Sequence, residues 1–390
     1  MELVLGHQKL AAAGGTETYL LTVAEQLQRL GHEVTIFALE AGEMAHVASS
    51  RGLRVVTAEH DLPGSCDGVI AQDAVVSLIL AARYPGTVQV FVAHAPGADF
   101  HRPVQLADVI SAVVVLNDRV ARRLDGLAQR HEIVRLRQPI DIQRFSPRGG
   151  PRAAPEQVLL VSNYMLGRPR EVLAQACAGA GLRLEHLGRH GRPSTTPELD
   201  IADSDITVGH GRAALEGMAS GRAVYIFHHQ GGDGWITAAS YAAFEADGFA
   251  GAGNDDTIDG ARVQRDLAAY RPDMGIVNRQ LVFAHHHALD HARDLVVLLR
   301  RLSPGSPSHS PAPLREMARL VRMQWQTEGR RVDLAAENDA LRGQLERERA
   351  RAREESAAIH AELAAFRRTR RYRLASLLAR PLEALRRRRD

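Results

Sequence analysis

A glycine-rich turn in the middle of the chain has the composition of an anion-binding site. Gly209, His210, Gly211 and Arg212 follow a short apolar run and open a segment with helical periodicity. Backbone N–H groups at such a turn and the N-terminus of the following helix both attract phosphate oxygens. The sequence therefore predicts that these four residues bind a diphosphate.

Glu216 lies in the same segment, about one and a half helical turns further on, among apolar residues. A buried carboxylate needs hydrogen-bond donors, and the two hydroxyls of a ribose would supply them. Backbone N–H groups of a neighbouring loop are the alternative partners. We therefore predict that Glu216 contacts the ribose of a bound nucleotide, and we keep the loop contact as the alternative.

A second glycine turn stands near the start of the chain. Gly14 and Gly15 follow the first predicted strand, and Thr16 is placed to cap the helix that begins there. Paired glycines let the backbone approach a ligand closely. A tight strand-to-helix turn without any ligand would also explain the two glycines, so both interpretations stay open.

Two further clusters have side chains that are able to bind ligands. Gly232 and Asp233 belong to a glycine-rich stretch that is predicted to be a loop closing over a base or sugar, with an ordinary surface loop as the alternative. The histidines at 285–287 and His291 have spacing suited to a metal. Because no carboxylate motif accompanies them, the pattern favours a solvated helix face, and no metal is predicted.

Alternating strands and helices are predicted to position these residues. Short Val/Ile/Leu runs alternate with helical segments over residues 1–148, and the alternation restarts over 149–302 after a Pro/Gly-rich stretch at 146–155. Continuous apolar runs are typical of parallel strands buried on both faces. The pattern predicts an α/β protein with two Rossmann-like, doubly wound lobes, whose ligands bind at the carboxyl ends of the strands. The predicted strands are Glu2–Leu5, Glu33–Ala38, Arg54–Thr57, Gly68–Ala71, Val88–Ala93, Ala112–Leu116, Ile133–Leu136, Val158–Ser162, Arg183–Leu187, Ile206–Val208 and Ala223–Phe227.

The chain changes character after a Pro/Ser-rich linker at 303–313. Over residues 314–366, apolar residues recur at three, four or seven positions between many Glu and Arg, although Asn338 and some glutamates interrupt the row. This spacing predicts a helical coiled coil and a homodimer. The recurring residues are Leu334, Leu341, Leu345, Ala352, Ile359, Leu363 and Phe366.

The end of the chain, residues 367–390, carries ten Arg against Glu383 and Asp390, with leucines at helical spacing between them. A basic amphipathic segment favours an anionic membrane surface. Nucleic-acid binding and a merely solvated end are the alternatives, and the acidic remainder of the chain argues against nucleic acid.

The composition sets limits on the class of protein. Hydrophobic residues make up 45% of the 390 residues, which is typical of a globular protein, and Cys66 and Cys177 show no paired spacing. There is no apolar leader and no run of about 18 apolar residues. These features predict a protein of the cytoplasm, peripheral on the inner face of the membrane if the basic tail binds lipid.

Three stretches together resemble the retaining glycosyltransferases of family 4, which have the GT-B fold. The stretch 14–17 with 30–35 (Leu-Gly-His-Glu-Val-Thr) is similar to the opening glycine loop and second strand of that family. Residues 139–147 (Pro-Ile-Asp-Ile-Gln-Arg-Phe-Ser-Pro) are similar to the segment before its linker, and 209–224 to its donor-site helix. The resemblance implies a transferase with no cofactor and no metal.

The resemblance also assigns roles to individual residues. Glu216 matches the second glutamate of the family's E-x7-E pair, which commonly holds the nucleotide, whereas Val208 stands at the position of the first. The family's phosphate-binding lysine falls on Arg168, and Asn163 replaces its arginine. A histidine near the acceptor falls on His94, the candidate catalytic residue, for which a strand-end histidine bonded to backbone is the alternative.

Together these features predict sugar transfer from a nucleotide-sugar donor to a glycan or lipid-linked acceptor, in the synthesis of a surface polysaccharide or cell-envelope glycan. The N-terminal lobe would hold the acceptor and the C-terminal lobe the donor. A degenerate GT-B domain that binds nucleotide-sugar or glycan as a scaffold is the first alternative. A relative with other chemistry, such as a sugar-nucleotide epimerase, is the second.

Overall fold

The computed structural model describes residues 1–94, 102–106, 108–124, 126, 130–194, 196–229, 231–251 and 259–375, apart from the side chains of Ala336 and Ala340. Within this range the chain forms two compact units, of which the first is Met1–Arg322 and the second begins at Met323. The first unit contains two lobes, each built on its own sheet.

The N-terminal lobe contains a seven-stranded parallel sheet in the order β5-β3-β1-β6-β7-β8-β9. Its strands are β1 (Glu2–Gly6), β3 (Glu33–Phe37), β5 (Arg54–Val56), β6 (Gly68–Ala71), β7 (Gln89–Ala93), β8 (Ala112–Val115) and β9 (Glu132–Arg135), and a separate small pair is formed by β2 (Lys9–Leu10) and β4 (Glu40–Ala41). The helices are α1 (Gly15–Arg29), α2 (Glu43–Ser50), α3 (Ala74–Arg83) and α4 (Asp118–Arg123), with a 3₁₀ turn at Glu59–Asp61.

The C-terminal lobe contains a five-stranded sheet in the order β11-β10-β12-β13-β14. Its strands are β10 (Gln157–Val161), β11 (Arg183–Leu187), β12 (Ile206–Gly209), β13 (Ala223–His228) and β14 (Gly231–Trp235). The helices are α5 (Gly167–Gly179), α6 (Pro197–Asp203), α7 (Arg212–Ala219), α8 (Tyr241–Asp247), α9 (Gly260–Ala268) and α10 (Asp273–His285). Two further helices follow, α11 (Ala288–Arg301) and α12 (Pro311–Arg368).

The predicted strands form within about a residue of their expected bounds, because long runs of Val, Ile and Leu bury both faces of a parallel sheet. One segment differs from its prediction. Gly232 and Asp233, expected in a loop, lie in β14, which pairs antiparallel with β13 at the edge of the sheet. A Cβ at Gly232 would come 2.0 Å from the carbonyl oxygen of Ile226, so glycine is needed there for the two backbones to approach. Glycine is rare in strands, so the same glycines that allow this pairing prevented the sequence from predicting β14.

Helix α11 follows the C-terminal lobe in sequence, yet its apolar face completes the core of the N-terminal lobe. Leu295, Leu298 and Leu299 are buried in the same cluster as Leu20 and Leu27 of α1. A helix with one apolar stripe must bury it against another element. The chain therefore crosses back to the first lobe before it enters α12.

Helix α12 is 58 residues long, and beyond Met323 its side chains lie mostly in solvent. Within the part of the chain that the structure describes, no helix has a stretch long and apolar enough to cross a membrane.

Candidate functional site

The glycine turn of the N-terminal lobe faces the other lobe. Gly14 precedes α1 without a side-chain cap, and the Thr16 hydroxyl, which was expected to cap the helix, donates to Glu17 Oε2 at 2.8 Å instead. Asn163, in the loop after β10, donates from Nδ2 to the Ala13 carbonyl oxygen at 3.3 Å. A Cβ at Gly15 would meet no atom within 4 Å. The first turn of α1 therefore opens on free space where the two lobes meet.

The glycine turn of the C-terminal lobe connects β12 to α7. Gly211 has φ 57° and ψ −127°, a conformation that strains other residues, and its N–H donates to the Phe249 carbonyl oxygen at 2.7 Å. A Cβ at Gly211 would also project into open space. The N–H groups of the first turn of α7 follow directly, and such groups have no partner within their own helix. The geometry suits an anion held by backbone N–H groups.

The carboxylate of Glu216 is bound by the side chain of Arg212 from the same helix. Arg212 Nε donates to Glu216 Oε1 at 2.9 Å, and both side chains are at most 10% exposed. Burial raises the pKa of Glu216, although the charge of Arg212 opposes this effect. The partner within the chain is thus an arginine side chain and not the loop N–H that was the alternative, and the predicted contact with a ribose stays a prediction. The spacing i, i+4 carried the signal for this pair, because such residues are neighbours on a helix.

Arg212 also joins the two lobes. Its Nη1 donates to the Pro139 carbonyl oxygen at 2.9 Å, and its Nη2 donates to Thr22 Oγ1 of α1 at 3.0 Å. Burial lowers the pKa of this guanidinium, whereas Glu216 raises it. The structure therefore places Arg212 at the interface of the lobes with its donors engaged by protein groups, and its predicted contact with a diphosphate stays a prediction.

A tyrosine connects His94 to the same interface. The ring of Tyr19 meets that of His94 edge-on, with centroids 4.7 Å apart, and its hydroxyl lies 2.7 Å from His291 Nε2. Burial raises the pKa of Tyr19 and lowers that of His291 to about 4, and the charge of Arg212 lowers both. The structure thus brings His94, which follows β7, against the ring of Tyr19, while Arg212 contacts Thr22 of the same helix α1.

The prediction of a solvated histidine face agrees with His285, which is exposed, but was wrong for His286 and His291. His286 and His291 are buried. Each of them lies between a backbone carbonyl oxygen of residues 137–138 and a tyrosine hydroxyl. His286 lies 2.8 Å from the Gln138 carbonyl oxygen and 2.9 Å from the Tyr241 hydroxyl. His291 Nδ1 lies 2.9 Å from the Arg137 carbonyl oxygen. The two histidines therefore serve to form hydrogen bonds within the fold. Among the described residues no group of three or more His, Cys, Asp or Glu is arranged to hold a metal.

A buried charge cluster that the sequence pattern did not reveal lies at the carboxyl edge of the first sheet. His7 follows β1, and its ring nitrogens lie 3.3 Å from Asp73 Oδ2 and 3.7 Å from Glu17 Oε1. Asp73 also accepts from the backbone N–H groups of Gln8 and Val76, and so caps α3. Burial lowers the pKa of His7, but the two carboxylates outweigh burial and raise it to about 9. Each of these residues follows a strand or lies at the start of a helix, which the sequence indicates. That residues 7, 17 and 73 lie close together is visible only in the fold.

This cluster predicts a loss of stability in mild alkali. The pKa of His7 is raised above its ordinary value of 6.5, so its contribution is complete below pH 6.5 and disappears as the pH rises through about 9. Up to about 3 kcal/mol of the free energy of unfolding should be lost between pH 6.5 and 9.5. Urea unfolding at these two pH values would measure the loss. His7→Gln should remove most of the slope, and an unchanged slope in that variant would exclude His7 as its source.

The remaining predicted residues occupy separate places. Arg168 is exposed in the first turn of α5. The ring of His210 contacts that of His228 in a tilted arrangement with centroids 5.3 Å apart, and burial lowers the pKa of His210 to about 4. Asp233 lies in β14. Val208, at the position of the family's first glutamate, is a fully buried residue of β12.

Comparison with solved structures identifies the architecture. The chain has the GT-B fold, in which two Rossmann-like lobes face each other. It is similar to HepE of Anabaena, in complex with UDP and glucose, with a TM-score of 0.55 and 11% identity over 77% of this chain and 100% of that chain. It is similar to the pneumococcal O-GlcNAc transferase GtfA, in complex with UDP and GlcNAc, with a TM-score of 0.51 and 9% identity over 77% and 98%. No protein-family model and no curated protein sequence matches the chain.

Proposed function

We propose that the protein is a glycosyltransferase that takes a sugar from a nucleotide-sugar donor and transfers it to a glycan or lipid-linked acceptor. One observation carries the proposal. The two glycine turns at residues 14–15 and 209–211 each lead into a helix, and both border open space in the first compact unit. Asn163 connects the first of these turns to the C-terminal lobe. Helix N-termini that border open space suit a diphosphate. The structural likeness to transferases solved with UDP makes UDP the first nucleotide to test.

The geometry supports a separate role for each residue of the proposed site. Backbone N–H groups after Gly211 would stabilise the charge that develops on the departing diphosphate, and the exposed Arg168 would approach it from α5. Arg212, held by Glu216, bonds to residues of both lobes and so keeps the glycine turn before α7 in position. His94, which meets the ring of Tyr19 edge-on, would lie on the acceptor side.

The scaffold alternative also has a specific observation in its favour. Val208 is buried in the core of the C-terminal lobe, so the position of the family's first glutamate offers no carboxylate to a donor sugar. A domain of this kind would bind a nucleotide-sugar without transferring the sugar. Binding and release of UDP therefore have to be measured separately.

The first experiment is a thermal-shift screen with UDP, GDP, ADP and TDP and their common sugars. We expect one nucleotide to raise the melting temperature, and Gly15→Leu to abolish that rise, because the new side chain would fill the open space beside α1. Gly64→Leu is the matched control, since Gly64 is also open to solvent but lies elsewhere in the N-terminal lobe. Equal shifts in Gly15→Leu and the wild type would contradict the proposed donor site.

The second experiment measures transfer itself. Release of free nucleotide from the sugar nucleotide that binds best should proceed slowly with water as acceptor, and Arg168→Gln should lower the rate at least about tenfold through loss of a charge-assisted contact to the diphosphate. Binding without any release, with or without added glycan acceptors, would favour the scaffold.

A further inference from the structure

The part of α12 that belongs to the second compact unit exposes a regular row of apolar side chains. Leu334, Leu341 and Ile359 are 64%, 56% and 57% exposed, and neighbouring turns add Leu345 and Phe366. The row follows the two seam positions of a seven-residue repeat. One position is occupied by Leu334, Leu341, Glu348, Glu355 and Glu362, and the other by Asn338, Leu345, Ala352, Ile359 and Phe366. A single helix cannot bury such a seam, so a partner helix is needed to cover it.

Antiparallel pairing of this seam has a register that is centred on position 350. In two antiparallel helices, each residue at one seam position of the first copy faces a residue at the other seam position of the second copy. In this register the two residue numbers of each facing pair add up to 700. The facing pairs are Leu334 with Phe366, Asn338 with Glu362, Leu341 with Ile359, Leu345 with Glu355, and Glu348 with Ala352. We propose that α12 pairs with α12 of a second copy of this chain, antiparallel and in this register.

The glutamates decide the direction of the helices. In a parallel pair in register, Glu348, Glu355 and Glu362 would each face the same residue of the other copy, and three layers would bring like charges together. In the antiparallel pair none of them faces another carboxylate. The Asn338 amide lies opposite Glu362 and is able to donate a hydrogen bond to it.

The flanking charges support the same arrangement. Arg349 and Arg351 flank the seam on its two sides next to the centre of symmetry, close to Glu348 and Glu355. Two antiparallel copies gather equal numbers of arginines and seam carboxylates at this centre, so the charge of the buried glutamates is balanced. A two-fold interface of this kind is self-complementary, as is usual for homodimers.

Cysteine cross-linking of the full chain would test the pairing. Cys66 and Cys177 are the native cysteines, and they are first replaced as Cys66→Ser and Cys177→Ala. Leu341→Cys and Ile359→Cys are then made separately in that background. Under mild oxidation neither variant should form a covalent dimer alone, whereas an equimolar mixture should, because only facing residues come close enough for a disulfide bond.

The outcomes separate the possible arrangements. A covalent dimer in either single-cysteine sample would show parallel helices and overturn the proposal, and so would the absence of a covalent dimer in the mixture. Val332→Cys mixed with Ile359→Cys is the control for chance collisions, because Val332 is exposed but lies off the seam. It should give no covalent dimer.

Light scattering provides a second measurement that needs no cysteine. The full chain should have twice the mass of a 42.6 kDa monomer. Leu341→Asp should raise the dissociation constant at least about hundredfold, because one apolar layer is lost from each end of the symmetric seam. Val332→Asp should leave the constant unchanged. A strict monomer at all concentrations would overturn the proposal.

Discussion

Replacing Arg212 with Met is expected to lower the free energy of unfolding by about 3–5 kcal/mol. The substitution leaves the carboxylate of Glu216 buried without its cation, and it removes donors from the Pro139 carbonyl oxygen and Thr22. Burial already raises the pKa of Glu216, and without the opposing charge of Arg212 this pKa should rise further. The variant should therefore regain stability as the pH is lowered, because the buried carboxyl group then takes up a proton.

Urea unfolding of four proteins would measure this effect. Arg212→Met combined with Glu216→Leu should recover at least half of the loss, because no buried charge then remains. Arg293→Met is the matched control: Arg293 forms an ion pair with Asp290 three residues away, but both side chains are more than half exposed. Its loss should cost less than about 1 kcal/mol. Equal losses in Arg212→Met and Arg293→Met would show that the buried pair adds nothing.

The second large effect is a loss of stability in mild acid. Burial lowers the pKa of His210 and His291 to about 4 and that of His286 to about 3. A histidine whose pKa is lowered on folding stabilises the protein above pH 6.5, and this contribution disappears as the pH falls toward the folded pKa. At pH 5 each of the three should have lost about 2 kcal/mol, and together about 6 kcal/mol, which is a large part of the stability of an ordinary protein.

Burial keeps His286 and His291 neutral, and the hydrogen bonds of each ring fix which nitrogen carries the proton. In each ring Nδ1 faces a backbone carbonyl oxygen and carries the proton, so Nε2 accepts from a tyrosine hydroxyl. A second proton would face that hydroxyl. Urea midpoints at pH 7.5 and 5 should show a slope that His291→Gln reduces by about a third. His60→Gln, at a histidine that is 84% exposed, should leave the slope unchanged. A flat profile in the wild type would contradict the assignment.

Most of the fold could be predicted because parallel strands leave a plain mark in the sequence. Runs such as Ala112–Val115 are apolar on both faces and contain β-branched residues, which favour strands. β14 could not be found in this way, because three of its five residues are glycine. The amphipathic pattern of α11 indicates which face is buried but not which of the two sheets it covers.

The candidate site was less visible for a different reason. Glycine turns are local, so residues 14–15 and 209–211 stood out in the sequence. The interactions of His7 with Asp73, or of Arg212 with Thr22, join residues that are 66 and 190 positions apart, and only tertiary structure creates them. The pair of Arg212 and Glu216 is the exception, since its helical spacing was available from the start.

The position of α11 has a consequence for the order in which the protein is made. The strands of the first sheet are complete at Arg135, but the helix that finishes covering their core begins only at Ala288. At about 5–20 residues per second, a ribosome needs on the order of 10–30 s to add the intervening chain. During that time Leu20, Leu27 and their neighbours remain uncovered where Leu295 and Leu299 will later pack. The nascent N-terminal lobe therefore keeps part of its apolar core exposed until α11 emerges, and exposed apolar surface of this kind is what chaperones bind.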